Sequence, residues 1–301
     1  MSIENRYQAA GRWWKGNLHM HSTYSDGART YEELLQSYSH EYGYHFLAMT
    51  DHDHLSTASE LSTPDFLFLD GLEFHGDDFG ESFHGVAIDV GEQLPTEMAY
   101  SDKLSAYSDQ GAILMAAHPF WMNNSPQVFT QQTRYTCIEV YNGLADGICG
   151  KGLSLVHWDW ALRHGVQVWG TAVDDAHLSP SYPWPNTGWT CVLADALEPP
   201  AILAAIRSGR FYASNGPEIE SITLTGSSLK VACSPAWRIR LVDIPTNRSE
   251  KAYADDLGAT SVTDAEFDVS AYISGENPGN IRVEVESADH RHAWSNPVFG
   301  R

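Results

Sequence analysis

The sequence predicts an α/β domain of mostly parallel strands, open to closure into a barrel, followed by a small antiparallel β-sandwich domain. Three observations carry this expectation. Over residues 16–195, short apolar stretches of strand character alternate with helical or loop stretches. Clusters of His, Asp and Glu fall mainly where those strands end, the side on which α/β barrels collect their chemistry. From residue 218 onward the pattern becomes one of β alternation, as in Ser221-Ile222-Thr223-Leu224-Thr225 and Ile281-Arg282-Val283-Glu284-Val285. The expected division is therefore 1–217 and 218–301.

The elements follow in order. Residues 17–21 read as a first strand. Thr30 opens a helix, with Glu33 completing a capping box and Gly43 as its stop. Phe46-Leu47-Ala48-Met49 is a short buried strand that ends at Thr50-Asp51-His52-Asp53. A third strand begins near Phe66 and ends near Glu73. Residues 85–90 form a fourth, and residues 113–117 a fifth, ending at His118-Pro119. Ile138-Glu139-Val140-Tyr141 is a sixth. A helix over 153–163 stops at Gly165, and residues 166–173 lead to Asp174-Asp175-Ala176-His177. Ile202, Leu203 and Ile206 mark one more helix before the β-rich remainder.

Composition bounds the function. Lys and Arg number 18 against 39 Asp and Glu, a net charge of −21. Such a surface repels phosphate backbones and anionic lipid, so neither a nucleic-acid duplex nor a membrane is an expected partner. No apolar run approaches the ~18 residues of a membrane span. The first residues lack an apolar h-region, so no signal peptide is expected. Cys137, Cys149, Cys191 and Cys233 are scattered and read as buried or half-buried free thiols of a reducing, cytoplasmic protein.

The 14 His are the unusual feature. His19-Met20-His21 places two imidazoles on one side of a strand, and Asp26 follows in a Ser25-Asp26-Gly27 turn. His52, Glu73, His84, His118, Asp175 and His177 complete nine candidate ligands, nearly all at strand ends; His84 is the exception, since it precedes its strand. His and carboxylate donors without thiolate suit Zn, Mn or Fe, and a bridging carboxylate lets nine residues hold two or three divalent ions. Three such ions against Asp26, Glu73 and Asp175 leave a local charge of about +3, able to draw in a phosphate and to acidify a bound water towards ~7.

At these residues the sequence resembles the PHP (polymerase and histidinol phosphatase) superfamily. The matching motifs are His19-Met20-His21-Ser22, Ser25-Asp26-Gly27, Thr50-Asp51-His52-Asp53, Gly71-Leu72-Glu73, Ala117-His118-Pro119 and Asp175-Ala176-His177. The resemblance implies a distorted seven-stranded β/α barrel and phosphate-ester hydrolysis by a metal-activated hydroxide at a di- or trinuclear site. It implies one ion on His19, His21, Glu73 and Asp175, a second on Glu73, His84 and His118, and a third on Asp26, His52 and His177. Glu139-Val140-Tyr141-Asn142-Gly143, Gly209-Arg210-Phe211-Tyr212 with the residues to Pro217, and Ala293-Trp294-Ser295-Asn296-Pro297 look like the carbaryl-hydrolase-like branch, which appends a β domain. That branch adds an alternative substrate, a carbamate or carboxylic ester. A non-catalytic metal-stabilised binding module is the alternative outside enzymology.

Other residues are candidates for supporting roles. His75, where the family pattern leads one to expect a small or hydroxyl residue, and His54 are read as catalytic or outer partners of the site, or as packing and solvent-facing side chains. Asp51 is expected to orient a ligand imidazole. Asp174 competes with Asp175 for the ligand role. Arg134, Lys151 and Arg210 are candidate phosphate contacts, otherwise surface cations. Trp121, Tyr141 and Asn142 follow strand ends and are candidates to line a pocket for a small phosphorylated substrate, the aromatics being otherwise plain packing. Tyr182-Pro183-Trp184-Pro185 is a stiff aromatic-proline loop, either a rigid pocket wall or an ordinary surface loop.

Overall fold

The computed structural model describes residues 5–254, 259–274 and 280–299. Its N-terminal part strings short strands and helices in the expected alternation: β1 (Arg12–Asn17), α1 (Tyr31–Gln36), β2 (Phe46–Met49), β3 (Leu67–Asp78), β4 (Glu81–Ile88), α2 (Tyr100–Asp109), β5 (Ile113–Ala117), β6 (Cys137–Asn142), α3 (Gly143–Cys149), α4 (Leu155–Arg163), β7 (Trp169–Val173), β8 (Trp189–Ala194), α5 (Pro199–Arg207) and β9 (Phe211–Ser214). The capping box forms as read: Thr30 accepts from the Glu33 amide while the Glu33 carboxylate receives the Thr30 amide. The first strand sits earlier than expected. Its ladder ends at Asn17, and His19 and His21 lie on an extended continuation that pairs with the residues after β7.

Strand direction explains the site. The pairs β1–β2, β2–β3, β5–β6 and β6–β7 are parallel, but β4 is antiparallel to both β3 and β5. On β3 one face reads Leu67, Leu69, Gly71, Glu73, His75, apolar first and polar last. On the reversed β4 the facing positions read His84, Val86, Ile88, with His75 opposite His84 and Glu73 opposite Val86. His84 therefore lies at the ligand end although it comes early in its strand. Beyond the ladders, the Asp175 amide donates to the His19 carbonyl at 3.1 Å and the His21 amide to the Ala176 carbonyl at 3.1 Å. These bonds bring the two arms of the sheet together where the polar residues cluster.

Below that polar end lies an apolar cluster built from Leu18, Phe46, Leu69, Val86, Ile88, Met115, Trp169 and Val192, with Ile202 and Ile206 of α5 packed into it. Gly16 allows this packing, since a Cβ there would stand 2.1 Å from the Phe46 ring. A second cluster sits on the other face, where Leu72 and Phe74 meet Tyr100 and Leu104 of α2, and Trp158 of α4 fills the space beside Val140.

The C-terminal strands are β10 (Ile219–Thr225), β11 (Ser228–Ala236), β12 (Arg238–Asp243), β13 (Arg248–Tyr253), β14 (Val262–Asp268), β15 (Ile281–Glu286) and β16 (His292–Ser295). They form two antiparallel sets, β10-β11-β14 and β13-β12-β15-β16, and both contribute to one apolar cluster through Leu229, Val231, Phe267, Leu241 and Val283. The second set is continuous with the N-terminal sheet, because β16 pairs with β9 and β9 with β8. Asn296 reinforces the joint by accepting from the Gly170 amide at 2.8 Å. Cys137, Cys191 and Cys233 are buried free thiols as read, whereas Cys149 is exposed. Among the described residues no helix is long and apolar enough to cross a membrane.

Trp158 is fully buried and donates its indole N–H to the Val168 carbonyl at 2.9 Å. Trp158→Ala leaves a large void and an orphaned carbonyl, so we expect a loss of about 3–5 kcal/mol, read from the shift of a urea unfolding curve.

Candidate metal centre

The centre is organised around Glu73, a carboxylate with 1% exposure and five imidazoles against it. Its Oε2 lies 3.2 Å from His19 Nε2, 3.3 Å from His21 Nε2 and 3.0 Å from His52 Nδ1. Its Oε1 lies 2.8 Å from His84 Nδ1 and 3.2 Å from His118 Nε2. Each oxygen thus faces its own set of nitrogens, the arrangement of a bridging carboxylate. Asp175 closes the first set, with Oδ1 3.1 Å from His21 Nε2 and 3.5 Å from His19 Nε2. The two Nε2 atoms stand 3.1 Å apart.

Asp26, more than half exposed, forms the outer part. Its Oδ1 lies 3.2 Å from His177 Nε2, 3.7 Å from His21 Nδ1 and 3.8 Å from His52 Nε2. His52 thus turns one nitrogen to Glu73 and the other to Asp26. All nine ligand candidates fall in overlapping groups whose donor atoms lie within 4.8 Å of one another.

These residues fit divalent ions. The contacts among His19, His21, Glu73 and Asp175 span 3.1–3.5 Å. Donors around one ion at 2.0–2.1 Å are separated by about 3.3–3.4 Å in a tetrahedron. The buried Asp175 Oδ1 has no hydrogen bond of good geometry, although nitrogens surround it. Two imidazole nitrogens facing each other beside two acid oxygens leave a place for a cation.

Without one, protons take that place. Burial alone would depress His19, yet Asp175, Glu73 and Glu139 hold it well above the ordinary imidazole value. Burial likewise opposes His52, but contact with Glu73 pushes it up to about 9. His118 and His177 rise for the same reason, against Glu73 and Asp26 respectively. Burial would raise Glu73 and Asp175, but the surrounding imidazoles pull both well down. The His177 contact holds Asp26 at about 2.

Backbone and neighbouring side chains aim the ligands. His118 and Asp175 both adopt left-handed φ, +31° and +53°, an unfavourable conformation for residues with a Cβ that concentrates at functional sites. Glu139, buried in β6, was not singled out as a site residue from sequence. Its Oε1 holds His19 Nδ1 at 2.7 Å and its Oε2 accepts the His118 amide at 2.7 Å. The available signal was a carboxylate inside an apolar strand, which must have partners.

The supporting candidates have varied positions. Asp51 is fully buried, and the imidazole it bears on is His21 rather than its neighbour His52. It accepts from the Ser22 amide at 2.7 Å and hydroxyl at 2.8 Å and from the Ser25 hydroxyl at 2.8 Å, and Ser25 Oγ lies 3.4 Å from His21 Nδ1. Asp174 faces away and accepts from Tyr38, Thr187 and the amides of residues 186–188. His75 stands at the mouth, half-exposed, with Nδ1 3.3 Å from Asp53 Oδ2. His54 stacks on Tyr24 at 4.7 Å and 5°, and Trp121 meets the His118 ring at 4.9 Å.

Asn142 is fully buried and donates to Glu139 Oε2 at 2.8 Å and Asp175 Oδ2 at 3.1 Å, so it braces two acids instead of lining a pocket. Tyr141 points the other way, onto Trp294. A bulge between Glu139 and Tyr141 breaks the two-residue period that would have put both on one side. Lys151 donates to Asn123 and lies over the Phe120 ring, on the loop side of the centre. Arg210 precedes β9 beside Leu193, level with the N-terminal end of β1, so it sits at the opposite end of the sheet. Arg134 is exposed, with no bond to these residues among the described contacts.

The chain shares its fold with a two-domain protein from Bacteroides vulgatus containing a predicted PHP-like metal-dependent phosphoesterase: TM-score 0.53 at 16% identity, over 99% of this chain and 92% of that one. A protein of Bifidobacterium adolescentis assigned to the metal-dependent phosphoesterases aligns over 57% of this chain and 91% of its own at TM-score 0.42 and 15% identity. An amidohydrolase of Chromobacterium violaceum with bound sulfate and no metal aligns over 54% and 87%, at 0.42 and 17%. No family model matches the chain, and no curated protein does. Of the fold expected from the motifs, the coarser part is found and shared with the two-domain neighbour: a large mixed sheet with a second, smaller antiparallel one.

Two predictions follow from this geometry. Glu139→Gln keeps the shape but removes the charge behind His19, so zinc or manganese affinity should fall about 10–100-fold in a metal titration, with the far-UV spectrum unchanged. For metal-free protein, raised imidazole pKa values mean the folded state binds extra protons. That stabilisation is whole below the unfolded value of 6.5 and is lost as pH climbs through about 9. The melting temperature of chelated protein should fall from pH 6.5 to 9, and added zinc should offset the fall.

Proposed function

We propose that this protein is a metal-dependent hydrolase that cleaves a phosphate ester at two or three divalent ions, Mn, Zn or Fe. The observation that carries the reading is the two-sided Glu73 carboxylate, with three imidazoles on one oxygen and two on the other. His19, His21, Glu73 and Asp175 would hold one ion, Glu73, His84 and His118 a second, and Asp26, His52 and His177 a third. Bound there, divalent ions supply Lewis-acid stabilisation of phosphoryl oxygens and activation of a water.

The chain's own residues do the rest. Glu139 and Asn142 fix His19, His118 and Asp175 before substrate arrives, so little reorganisation is needed on binding. Asp51, through Ser25, holds His21 and the loop carrying Asp26. His75, above Glu73 and steadied by Asp53, is placed to give a proton to a departing alkoxide at the mouth. Lys151 is the cation we assign to the substrate's outer phosphate oxygens. A small phosphorylated molecule is the substrate class we assign, and the cytoplasm the compartment. We divide the chain at 217/218 into the metal-bearing unit and a β-sandwich that buttresses it through β16 and β9.

The test is phosphate release by manganese- or zinc-loaded protein, with naphthyl carbamates assayed in parallel. Glu73→Gln and His118→Ala should each lower turnover at least ~10³-fold while the circular dichroism spectrum is kept. Full phosphatase activity in His118→Ala would overturn the reading, and carbamate cleavage without phosphate release would redirect it to acyl transfer.

A further inference from the structure

The protein is strongly acidic, yet large apolar rings remain exposed around the metal end. Tyr24 follows the His19–His21 segment and is 58% exposed; Phe120 follows His118; Tyr182 and Trp184 follow His177. The collar reaches the ligands themselves. Trp121 touches His118 from one side, with ring centres 4.9 Å apart, and Tyr182 approaches His177 from another, at 6.2 Å. Trp184 is seated against Gly147 of α3, where any Cβ would stand 2.8 Å from its ring.

The polar groups of the mouth are largely spoken for. His75 pairs with Asp53. Arg29 faces Glu33. Among the described residues Lys151 is the cation placed by contact on this collar, over Phe120, while Asp26 and Asp53 add negative charge. Such a rim offers one positive charge and much flat apolar surface. It does not suit a polyphosphate, which needs several cations.

We propose that this collar selects a phosphate monoester whose alcohol carries a flat, apolar ring close to the ester oxygen. The proposal rests on the phosphoesterase reading above. With the phosphate at the ions, Trp121 and Tyr182 bracket the space the alcohol occupies, and stacking there removes ring surface from water on both partners.

The experiment compares 2-phenylethyl phosphate with n-propyl phosphate on manganese-loaded protein. The two alcohols have similar acidity, so their rate ratio reports recognition. We expect kcat/KM to favour the phenylethyl ester at least about 10-fold, and Trp121→Leu or Tyr182→Ala to cut that ratio about threefold or more, chiefly through KM. Calorimetry of phenylphosphonate against methylphosphonate should show a matching preference in binding, reduced by the same substitutions. Equal binding of the two phosphonates by the unsubstituted protein overturns the collar's role, whether or not either ester turns over. Preference for phenylphosphonate with no hydrolysis of either ester keeps the collar and defeats the phosphoesterase reading instead.

Discussion

One buried carboxylate holds the centre together. Glu73 lies under five imidazoles contributed by four separate stretches of chain: the continuation of β1, the turn after β2, the start of β4 and the end of β5. A single negative charge in that position is costly unless met by positive charge, and imidazoles alone meet it only by holding protons they would otherwise lose. The same geometry therefore stores a demand for cations, which protons satisfy in the absence of any other.

The surrounding structure serves that demand in layers. The inward faces of the strands are apolar near α5 and turn polar only at the far end, so the candidate ligands sit on a packed apolar floor. Glu139, Asn142, Asp51 and Ser25 then fix the rings and acids by hydrogen bonds, mostly at 2.7–2.8 Å. Asp174 does the equivalent for the wall, holding residues 186–188 and two tyrosine hydroxyls. The left-handed backbone at His118 and Asp175 is tolerated because so many bonds over-determine these positions.

The C-terminal strands belong to the same construction. Their four-stranded set continues the main sheet through β16 and β9, and α4 meets it at Arg282. Arg282 lies under Trp158 and pairs with Asp159 and Glu284. Tyr141, read as a pocket residue, is instead a wedge against Trp294 in this joint. The joint thus begins one residue before Asn142, which braces Glu139 and Asp175.

Local rules made much of this legible in the sequence alone. Residue chemistry marked the nine donors, apolar runs marked β2, β5 and β6, and the Thr30–Glu33 pair marked the start of α1, because each depends on neighbours a few positions away. Long-range pairing decided the rest. The reversal of β4 makes His84 a neighbour of Glu73, and the bulge in β6 sends Glu139 and Asn142 inward while turning Tyr141 out. The turn of the backbone at Asp175 selects it over Asp174, and the antiparallel β8 carries Arg210 to the wrong end of the sheet. Direction and register are properties of strand partners distant in the chain, so only the folded sheet could settle which polar residues share the pit.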